Sequence, residues 1–263
     1  MDNHSLKLKL KNNELSIGSW ITIGHPAIAE ILSFAKFDWL VIDIEHTVID
    51  YSMVQTLISS IQSKDITALV RVSKNEEVVI KRVLDAGADG IIVPMVNSET
   101  DARHAVNYAK YPPVGTRGVG LARAQGYGYR FEEYKAGIND IIIIAQIENY
   151  RGIDNLDKIL EVEGIDGTLI GPYDLSGSLG APGDFDNPEM SARLDEYEKI
   201  SISKNRPMGF HVVDSNAGLV IEKIKSGYSF IAYSTDFLFL GDQARNGTLK
   251  IHQFNQIKRT GNK

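Results

Sequence analysis

Polar side chains suited to binding a divalent metal follow two apolar segments of this sequence. Glu148 follows Ala145-Gln146-Ile147, and Asp174 follows Gly171-Pro172-Tyr173. These carboxylates supply the hard oxygen ligands that Mg²⁺, Mn²⁺ or a similar ion prefers. An octahedral ion with two protein ligands keeps positions open for a 2-oxo acid, which chelates through its carboxylate and ketone oxygens. The N–H groups of Tyr173 and Asp174, at the start of a predicted helix, would hold the substrate carboxylate.

Two further ionisable side chains follow apolar segments and suit charge stabilisation and proton transfer. Arg71 ends Leu69-Val70-Arg71 and would stabilise negative charge on a ketone oxygen as an enolate forms. His46 follows Asp43-Ile44-Glu45. Taken singly, each has a structural interpretation: Arg71 as an ion pair, His46 as a loop histidine, and Asp174 as a helix N-cap. Because four ionisable segment ends rarely coincide by chance, the set favours a metal site with an acid/base group nearby.

A (β/α)8 barrel is the fold that would bring these side chains together, because the carboxyl ends of its strands meet at one mouth. Eight apolar, β-branched segments alternate with amphipathic helical patterns, and most are apolar throughout, as is typical of parallel strands covered on both faces. An open doubly wound sheet is the alternative, but no glycine-rich dinucleotide loop follows the first strand. The predicted strands are 16–23, 39–44, 67–72, 90–93, 141–147, 167–170, 208–211 and 230–233, and two of the predicted helices are 50–63 and 76–85.

Length and composition agree with one barrel domain over residues 1–263 and exclude several classes of protein. The 263 residues include no cysteine, which excludes a disulfide framework, a thiolate metal site and a catalytic thiol. The net charge of −6 argues against a nucleic-acid partner. The apolar runs are shorter than the roughly 20 residues that span a membrane, and no secretion signal is visible, so we expect a cytoplasmic protein with no membrane partner. Residues 236–258 are predicted to form a C-terminal helix.

The order and spacing of several motifs resemble one known family over nearly the whole chain. The motifs are Phe37-Asp38-Trp39-Leu40, Asp43-Ile44-Glu45-His46, Val70-Arg71, Leu84-Asp85-Ala86-Gly87, Val93-Pro94-Met95-Val96, Tyr111-Pro112-Pro113-Val114-Gly115-Thr116-Arg117-Gly118-Val119-Gly120, Gln146-Ile147-Glu148 and Ile170-Gly171-Pro172-Tyr173-Asp174-Leu175-Ser176. Together they resemble the metal-dependent (class II) pyruvate aldolases, which include 4-hydroxy-2-oxoheptanedioate, 2-dehydro-3-deoxyglucarate and 2-keto-3-deoxy-L-rhamnonate aldolases. Citrate lyase β-subunits are more distantly similar. The resemblance implies a TIM barrel of the phosphoenolpyruvate/pyruvate-binding type.

The resemblance also implies roles for the matching positions. Glu148 and Asp174 are implied as ligands of a divalent cation (Mg²⁺, Mn²⁺ or Co²⁺). His46 and Asp85 are implied as the dyad that moves the proton of the 4-hydroxyl group, since a carboxylate on one imidazole nitrogen fixes the tautomer and raises basicity. The alternative for Asp85 is a purely structural place at a helix end. The other implied contacts are Arg71 beside the carbonyl group, Gln146 near the pyruvyl group, Tyr173 in the carboxylate-binding turn, and Arg123 reaching into a neighbouring subunit's site.

The implied reaction is reversible retro-aldol cleavage of a 4-hydroxy-2-oxo acid to pyruvate and an aldehyde, with a 2-keto-3-deoxy sugar acid as one candidate substrate. The cation and Arg71 would hold the pyruvate enolate, and no lysine Schiff base is needed. The alternatives are oxaloacetate decarboxylation, a CoA-thioester lyase, and a non-catalytic barrel that binds a 2-oxo acid.

The family further implies a homo-oligomer, usually a hexamer, in which terminal helices are exchanged between neighbours. This chain departs from its relatives at Tyr173 and within 125–130 and 210–214, at the end of the site that selects the aldehyde. Trp20 belongs either to that aldehyde pocket or to the core.

Overall fold

Eight parallel strands form a closed barrel in the computed structural model, which describes residues 4–260 and the side chains of residues 6–255. The strands are β1 (Ser16–Ile21), β2 (Trp39–Asp43), β3 (Thr67–Arg71), β4 (Gly90–Val93), β5 (Ile142–Ile147), β6 (Gly167–Ile170), β7 (Gly209–Val212) and β8 (Phe230–Thr235). They follow one another around the barrel in chain order, and β1 closes it by pairing with both β2 and β8. The predicted (β/α)8 barrel is confirmed.

Of the helices, one precedes β1, one follows β8, and the others return the chain from the carboxyl end of each strand to the amino end of the next. They are α1 (His4–Lys11), α2 (Pro26–Ser33), α3 (Tyr51–Gln62), α4 (Glu77–Asp85), α5 (Glu99–Ala109), α6 (Phe131–Ala136), α7 (Tyr150–Asp154), α8 (Leu156–Glu161), α9 (Pro172–Ser178), α10 (Pro188–Ser203), α11 (Ala217–Lys225) and α12 (Asp236–Thr260), with 3₁₀ helices at Arg123–Gly128 and Ile138–Asp140. Polar caps start several of them: Asp50 accepts a hydrogen bond from the Met53 N–H at the start of α3. Across residues 4–260, no helix is long and apolar enough to cross a membrane.

Bulky apolar side chains fill the inside of the barrel. Trp39 of β2 stacks on Phe230 of β8, with ring centroids 4.4 Å apart. Gly18 of β1 is the register partner of Trp39, and a Cβ atom at position 18 would overlap the Trp39 ring. Glycine is therefore the residue that allows the Trp39 indole to cross the barrel interior.

The first helix closes the amino end of the barrel. Leu6 and Leu10 of α1 are buried in the same apolar cluster as Trp39. Lys7 ties this helix to the segment before β6 through an ion pair with Asp166 at 2.9 Å. Since the amino end is covered, the accessible mouth of the barrel lies at the carboxyl ends of the strands, where (β/α)8 enzymes carry their chemistry.

Candidate active site

Arg71 is held in a fixed orientation at the mouth by two carboxylates and an indole ring. Its Nε and NH2 groups donate to the two carboxylate oxygens of Asp43 at 2.9 and 2.7 Å. Its NH1 atom lies 3.2 Å from Oε2 of Glu45, and its guanidinium carbon lies 4.4 Å from the centroid of the Trp20 ring. A bidentate pair of this kind fixes the plane of the guanidinium group as well as its charge. The last residues of β2 and β3 are register partners, and this pairing places Asp43 beside Arg71.

Gln146 and Glu148 form a buried polar pair at the end of β5. Glu148 is only 3% exposed; its Oε1 accepts a hydrogen bond of 2.6 Å from the Met95 N–H, and its Oε2 accepts one from the Gln146 amide. The amide oxygen of Gln146 is buried without a hydrogen-bond partner. Gly171 packs against both side chains, because a Cβ atom there would lie 3.1 Å from Glu148 Oε2 and 3.2 Å from Gln146 Nε2. Burial raises the pKa of Glu148, and the negative charge of Asp174 adds to the increase.

Asp174 lies in the first turn of α9, at the exposed rim of the same mouth. Its charge also acts on Glu45, whose pKa burial raises to about 7 against the opposing charge of Arg71. The negative charges of Glu148, Asp43 and Asp174 contribute to that increase. Carboxylates thus outnumber the one arginine, and a cation placed among them would relieve their mutual repulsion.

The donor set therefore fits a hard divalent cation. Glu148 offers a buried carboxylate that burial and Asp174 make costly to ionise, and the unpaired oxygen of Gln146 lies beside it. In the described part of the chain, no group of three or more His, Asp or Glu side chains is arranged to hold a metal. An ion can accept as few as two protein carboxylates, with substrate and water completing its shell, and the pair that the sequence predicts is Glu148 and Asp174.

The structure does not bring His46 and Asp85 together within one chain. His46 follows β2 at the mouth, with a 65% exposed side chain whose Nε2 atom lies 3.9 Å from Oε2 of Glu45. Asp85 ends α4, which has already returned the chain to the amino end of the barrel, and its Oδ1 accepts a hydrogen bond of 2.6 Å from the buried Arg117. The predicted dyad is thus absent from the single chain, because a helix of the barrel separates its two members.

Arg123 also lies away from the mouth of its own chain. It lies in the first 3₁₀ helix and donates to Ala86 O at 3.1 Å, Ser59 Oγ at 3.0 Å and Gln62 Oε1 at 2.9 Å. These partners lie in or just after the C-terminal turns of α3 and α4, at the amino end of the barrel. Any contact between Arg123 and substrate would therefore occur at the mouth of another copy of the chain.

Trp20 and Tyr173 occupy different layers of the mouth. Trp20 is buried between the guanidinium group of Arg71 and the ring of His211, whose centroid lies 4.9 Å from its own. Burial, together with the charge of Arg71, lowers the pKa of His211 to about 3, so this ring is neutral at physiological pH. Tyr173 is half exposed at the rim, and its ring meets the edge of Phe185 with centroids 5.0 Å apart. Trp20 therefore supports Arg71 from the barrel interior, while Tyr173 is available to a ligand.

The sequence alone indicated no role for Asp43, Glu45 or the Met95 N–H at this mouth. Asp43 and Glu45 stand in the same motif as His46, and only the register of β2 on β3 reveals their contacts with Arg71. The Met95 N–H contributes through the backbone, which leaves no trace in residue type. His211 lies within 210–214, the segment predicted to belong to the aldehyde end, and the structure stacks its ring on the Trp20 indole that contacts Arg71.

Comparison with known proteins finds relatives in sequence and in barrel fold. The HpcH/HpaI aldolase/citrate lyase family model matches residues 16–240. The chain is 36% identical over 239 residues to a hydroxypyruvate/pyruvate aldolase of Roseobacter denitrificans, covering 90% of this chain and 93% of the relative. It is 35% identical over 246 residues to a 2-keto-3-deoxy-L-rhamnonate aldolase of Escherichia coli, covering 91% and 90%. A solved HpcH/HpaI family protein of Burkholderia cenocepacia matches with a TM-score of 0.90 and 30% identity, covering 94% of this chain and 99% of the other.

Proposed function

Because the chain belongs to the HpcH/HpaI aldolase/citrate lyase family, we propose that it is a lyase that reversibly cleaves a 4-hydroxy-2-oxo acid to pyruvate and an aldehyde. The observation that carries this proposal is the placement of Arg71. Its guanidinium plane is fixed by Asp43 at the mouth that also holds the buried Glu148. Positive charge held rigidly in a partly dry site stabilises an oxyanion that forms only during the reaction.

Retro-aldol cleavage needs a base, a group that stabilises the enolate and a group that orients the pyruvyl end of the substrate. A base removes the proton of the C4 hydroxyl group, the C3–C4 bond breaks, and its electron pair forms the enolate of pyruvate, which is then protonated at C3. Arg71 would donate to the enolate oxygen, and Gln146 would orient the pyruvyl group. His46 follows β2 with its imidazole exposed at this mouth and would take the hydroxyl proton, directly or through water.

Glu148 and Asp174 would hold a divalent cation such as Mg²⁺, Mn²⁺ or Co²⁺, which when bound supplies a Lewis acid that polarises the 2-oxo group. The support for this is the buried carboxylate of Glu148, its raised pKa, and the adjacent unpaired oxygen of Gln146. The N–H groups at the start of α9, next to Asp174, would bind the substrate carboxylate.

The homo-oligomer expected from the family would complete the site. Asp85 and Arg123 both lie at the amino end of their own barrel, so they would reach a mouth only from a second copy of the chain. In such an assembly, a hexamer by analogy with relatives, Asp85 of one chain would pair with His46 of another.

The proposal is tested by pyruvate release from a panel of 4-hydroxy-2-oxo acids, with and without a chelator. We expect pyruvate in stoichiometric amounts with an aldehyde, and loss of turnover after chelation that added Mg²⁺, Mn²⁺ or Co²⁺ restores. Full activity after complete removal of metal would contradict the assignment of Glu148 and Asp174. Tight pyruvate binding with no turnover on any member of the panel would contradict the catalytic function itself.

Cation binding is expected to strengthen as the pH rises through about 7. The pKa of Glu45 lies near 7, so below that pH its carboxyl group holds a proton and the mouth carries less negative charge to attract a cation; the raised pKa of Glu148 acts in the same direction. Raising the pH removes those protons, and affinity should rise by up to about tenfold per pH unit for each proton released. Calorimetric titration with Mn²⁺ between pH 6 and 8, in buffers of different ionisation enthalpy, measures both the affinity and the protons. Glu45→Gln should flatten the profile, and an affinity independent of pH would contradict this expectation.

A further inference from the structure

A second cavity opens beside the mouth, between α9 and α10 on one side and β7 and α11 on the other. Its volume is about 480 Å³, and most of its wall is apolar. The apolar side chains that matter here are Phe185, Met190, Leu194, Leu219 and Leu238. We refer to it below as the α10–α11 cleft.

The α10–α11 cleft adjoins the proposed catalytic site at Tyr173 and His211. Tyr173 lines the cleft and immediately precedes Asp174 in the turn that begins α9. His211 also lines it, and its ring stacks on the Trp20 indole that supports Arg71. A substrate whose pyruvyl end lies at Arg71 and Asp174 therefore has this cleft next to it.

The charged groups of the cleft are mainly acidic. Asp214, Glu222 and Asp242 line it together with one cationic side chain, Lys223. Lys223 lies 4.1 Å from the centroid of the Phe210 ring, so its charge is already partly engaged. A carboxylate entering this space would face these three carboxylates, of which Asp242 is paired with Arg245 at 3.3 Å, and one partly engaged lysine.

We propose that the α10–α11 cleft receives the part of the substrate beyond C4 and selects aldehydes with a neutral, apolar substituent over those with a carboxylate. The proposal rests on the proposed aldol chemistry and adds the class of aldehyde to it. Apolar walls favour an alkyl or aryl group by burying it, and the acidic rim disfavours a second anion.

The test is condensation of pyruvate with three aldehydes in the presence of Mg²⁺, measured as kcat/KM for the aldehyde. Butanal and succinic semialdehyde have the same number of carbon atoms and differ at the terminal group. Acetaldehyde has neither the longer alkyl chain nor the carboxylate and serves as the reference aldehyde. Each buried methylene contributes roughly fourfold, so butanal should exceed acetaldehyde by about 15-fold. Succinic semialdehyde should fall at least about tenfold below butanal because of like-charge repulsion.

A matched pair of variants on α11 tests whether the aldehyde preference arises in the cleft. Leu219 lines the cleft and is 39% exposed, so Leu219→Lys should fold and should shift the butanal to succinic semialdehyde ratio at least about tenfold toward the anion. Ile221, two residues further along the same helix, is 51% exposed and does not line the cleft, so Ile221→Lys should keep the wild-type ratio. Glu222→Gln removes one rim charge and should move the ratio in the same direction as Leu219→Lys, by less.

The outcomes separate this inference from the function it rests on. Condensation with acetaldehyde, together with a preference for succinic semialdehyde over butanal, would overturn the assignment of the cleft and leave the aldolase intact. An unchanged ratio in Leu219→Lys would do the same. Absence of condensation with all three aldehydes would overturn the proposed function and the cleft assignment with it.

Discussion

Replacing Arg71 by lysine is expected to lower kcat for aldol cleavage by about 10²- to 10³-fold while the barrel remains folded. The guanidinium group uses Nε and NH2 to hold Asp43 and keeps NH1 beside Glu45, all in one plane. Lysine keeps the positive charge but is a flexible point charge, so it cannot hold Asp43 in this bidentate geometry. The loss should therefore fall mainly on kcat. Oxaloacetate decarboxylation, which passes through the same enolate, should fall in parallel.

The alanine variant separates catalysis from stability at this position. Asp43 is buried, so Arg71→Ala leaves an uncompensated carboxylate, and we expect the free energy of unfolding to fall by about 3–5 kcal/mol. Arg71→Lys keeps a positive charge beside Asp43, so its free energy of unfolding should fall much less. Denaturant unfolding of both variants, combined with initial rates of pyruvate release, would show activity lost in both and stability lost chiefly in Arg71→Ala.

Arg82 supplies the matched control. Its guanidinium carbon lies 3.9 Å from the centroid of the Tyr51 ring, between α4 and α3 in the outer layer, so it repeats the arginine–aromatic stack away from the mouth. Arg82→Lys should keep kcat within about twofold of wild type, as is usual for changes in the outer helical layer. An Arg71→Lys enzyme with wild-type kcat would show that the guanidinium geometry has no part in the reaction.

The strands and the mouth at their carboxyl ends could be predicted because they depend on local residue patterns and on the parallel topology of the barrel. Apolar residues on both faces indicate covered parallel strands, and parallel strands bring their carboxyl ends together. At the end of the first strand, where the predicted boundary differs, a distant residue is responsible. The first strand was predicted to reach Ile23 but ends at Ile21, because the N–H groups of Thr22 and Ile23 each donate to the Asp236 carboxylate at 2.8 Å. That carboxylate follows β8, more than 200 residues away in the chain.

The arrangement within the site was less predictable than its composition. The contacts of Arg71 with Asp43 depend on strand register, and no residue pattern specifies that register. The pairing of His46 with Asp85 came from roles carried over from relatives, and those roles do not say at which end of the barrel each residue lies. The barrel topology gives the location of each residue. His46 lies in the loop after β2, at the mouth, and Asp85 lies at the C-terminus of α4, at the opposite end.

Replacing Glu148 by glutamine is expected to weaken divalent-cation binding and aldol cleavage by more than about 10²-fold without destabilising the metal-free protein. The Met95 N–H can donate to the new amide oxygen as it does to the carboxylate. The new amide N–H₂ can donate to the Gln146 oxygen, which is buried without a partner, once the Gln146 amide turns over. The turned amide leaves the Gln146 NH₂ as the unpartnered group in place of its oxygen, so no additional buried polar atom loses a partner, and the charge whose burial raises the pKa of Glu148 is gone.

Thermal unfolding with and without Mn²⁺ distinguishes this account from simple misfolding. A cation at 100 times its Kd should stabilise the wild type by about 2.7 kcal/mol, and Glu148→Gln should lose nearly all of that increment. In the absence of cation, the Tm of the variant should equal or exceed that of the wild type, because folding no longer buries the costly charge. Glu30→Gln, an exposed change of the same type on α2, should keep both the cation-dependent increment and the activity. A Glu148→Gln protein that retains the increment would place the cation elsewhere, whereas one with a lower metal-free Tm would show that Glu148 contributes to stability.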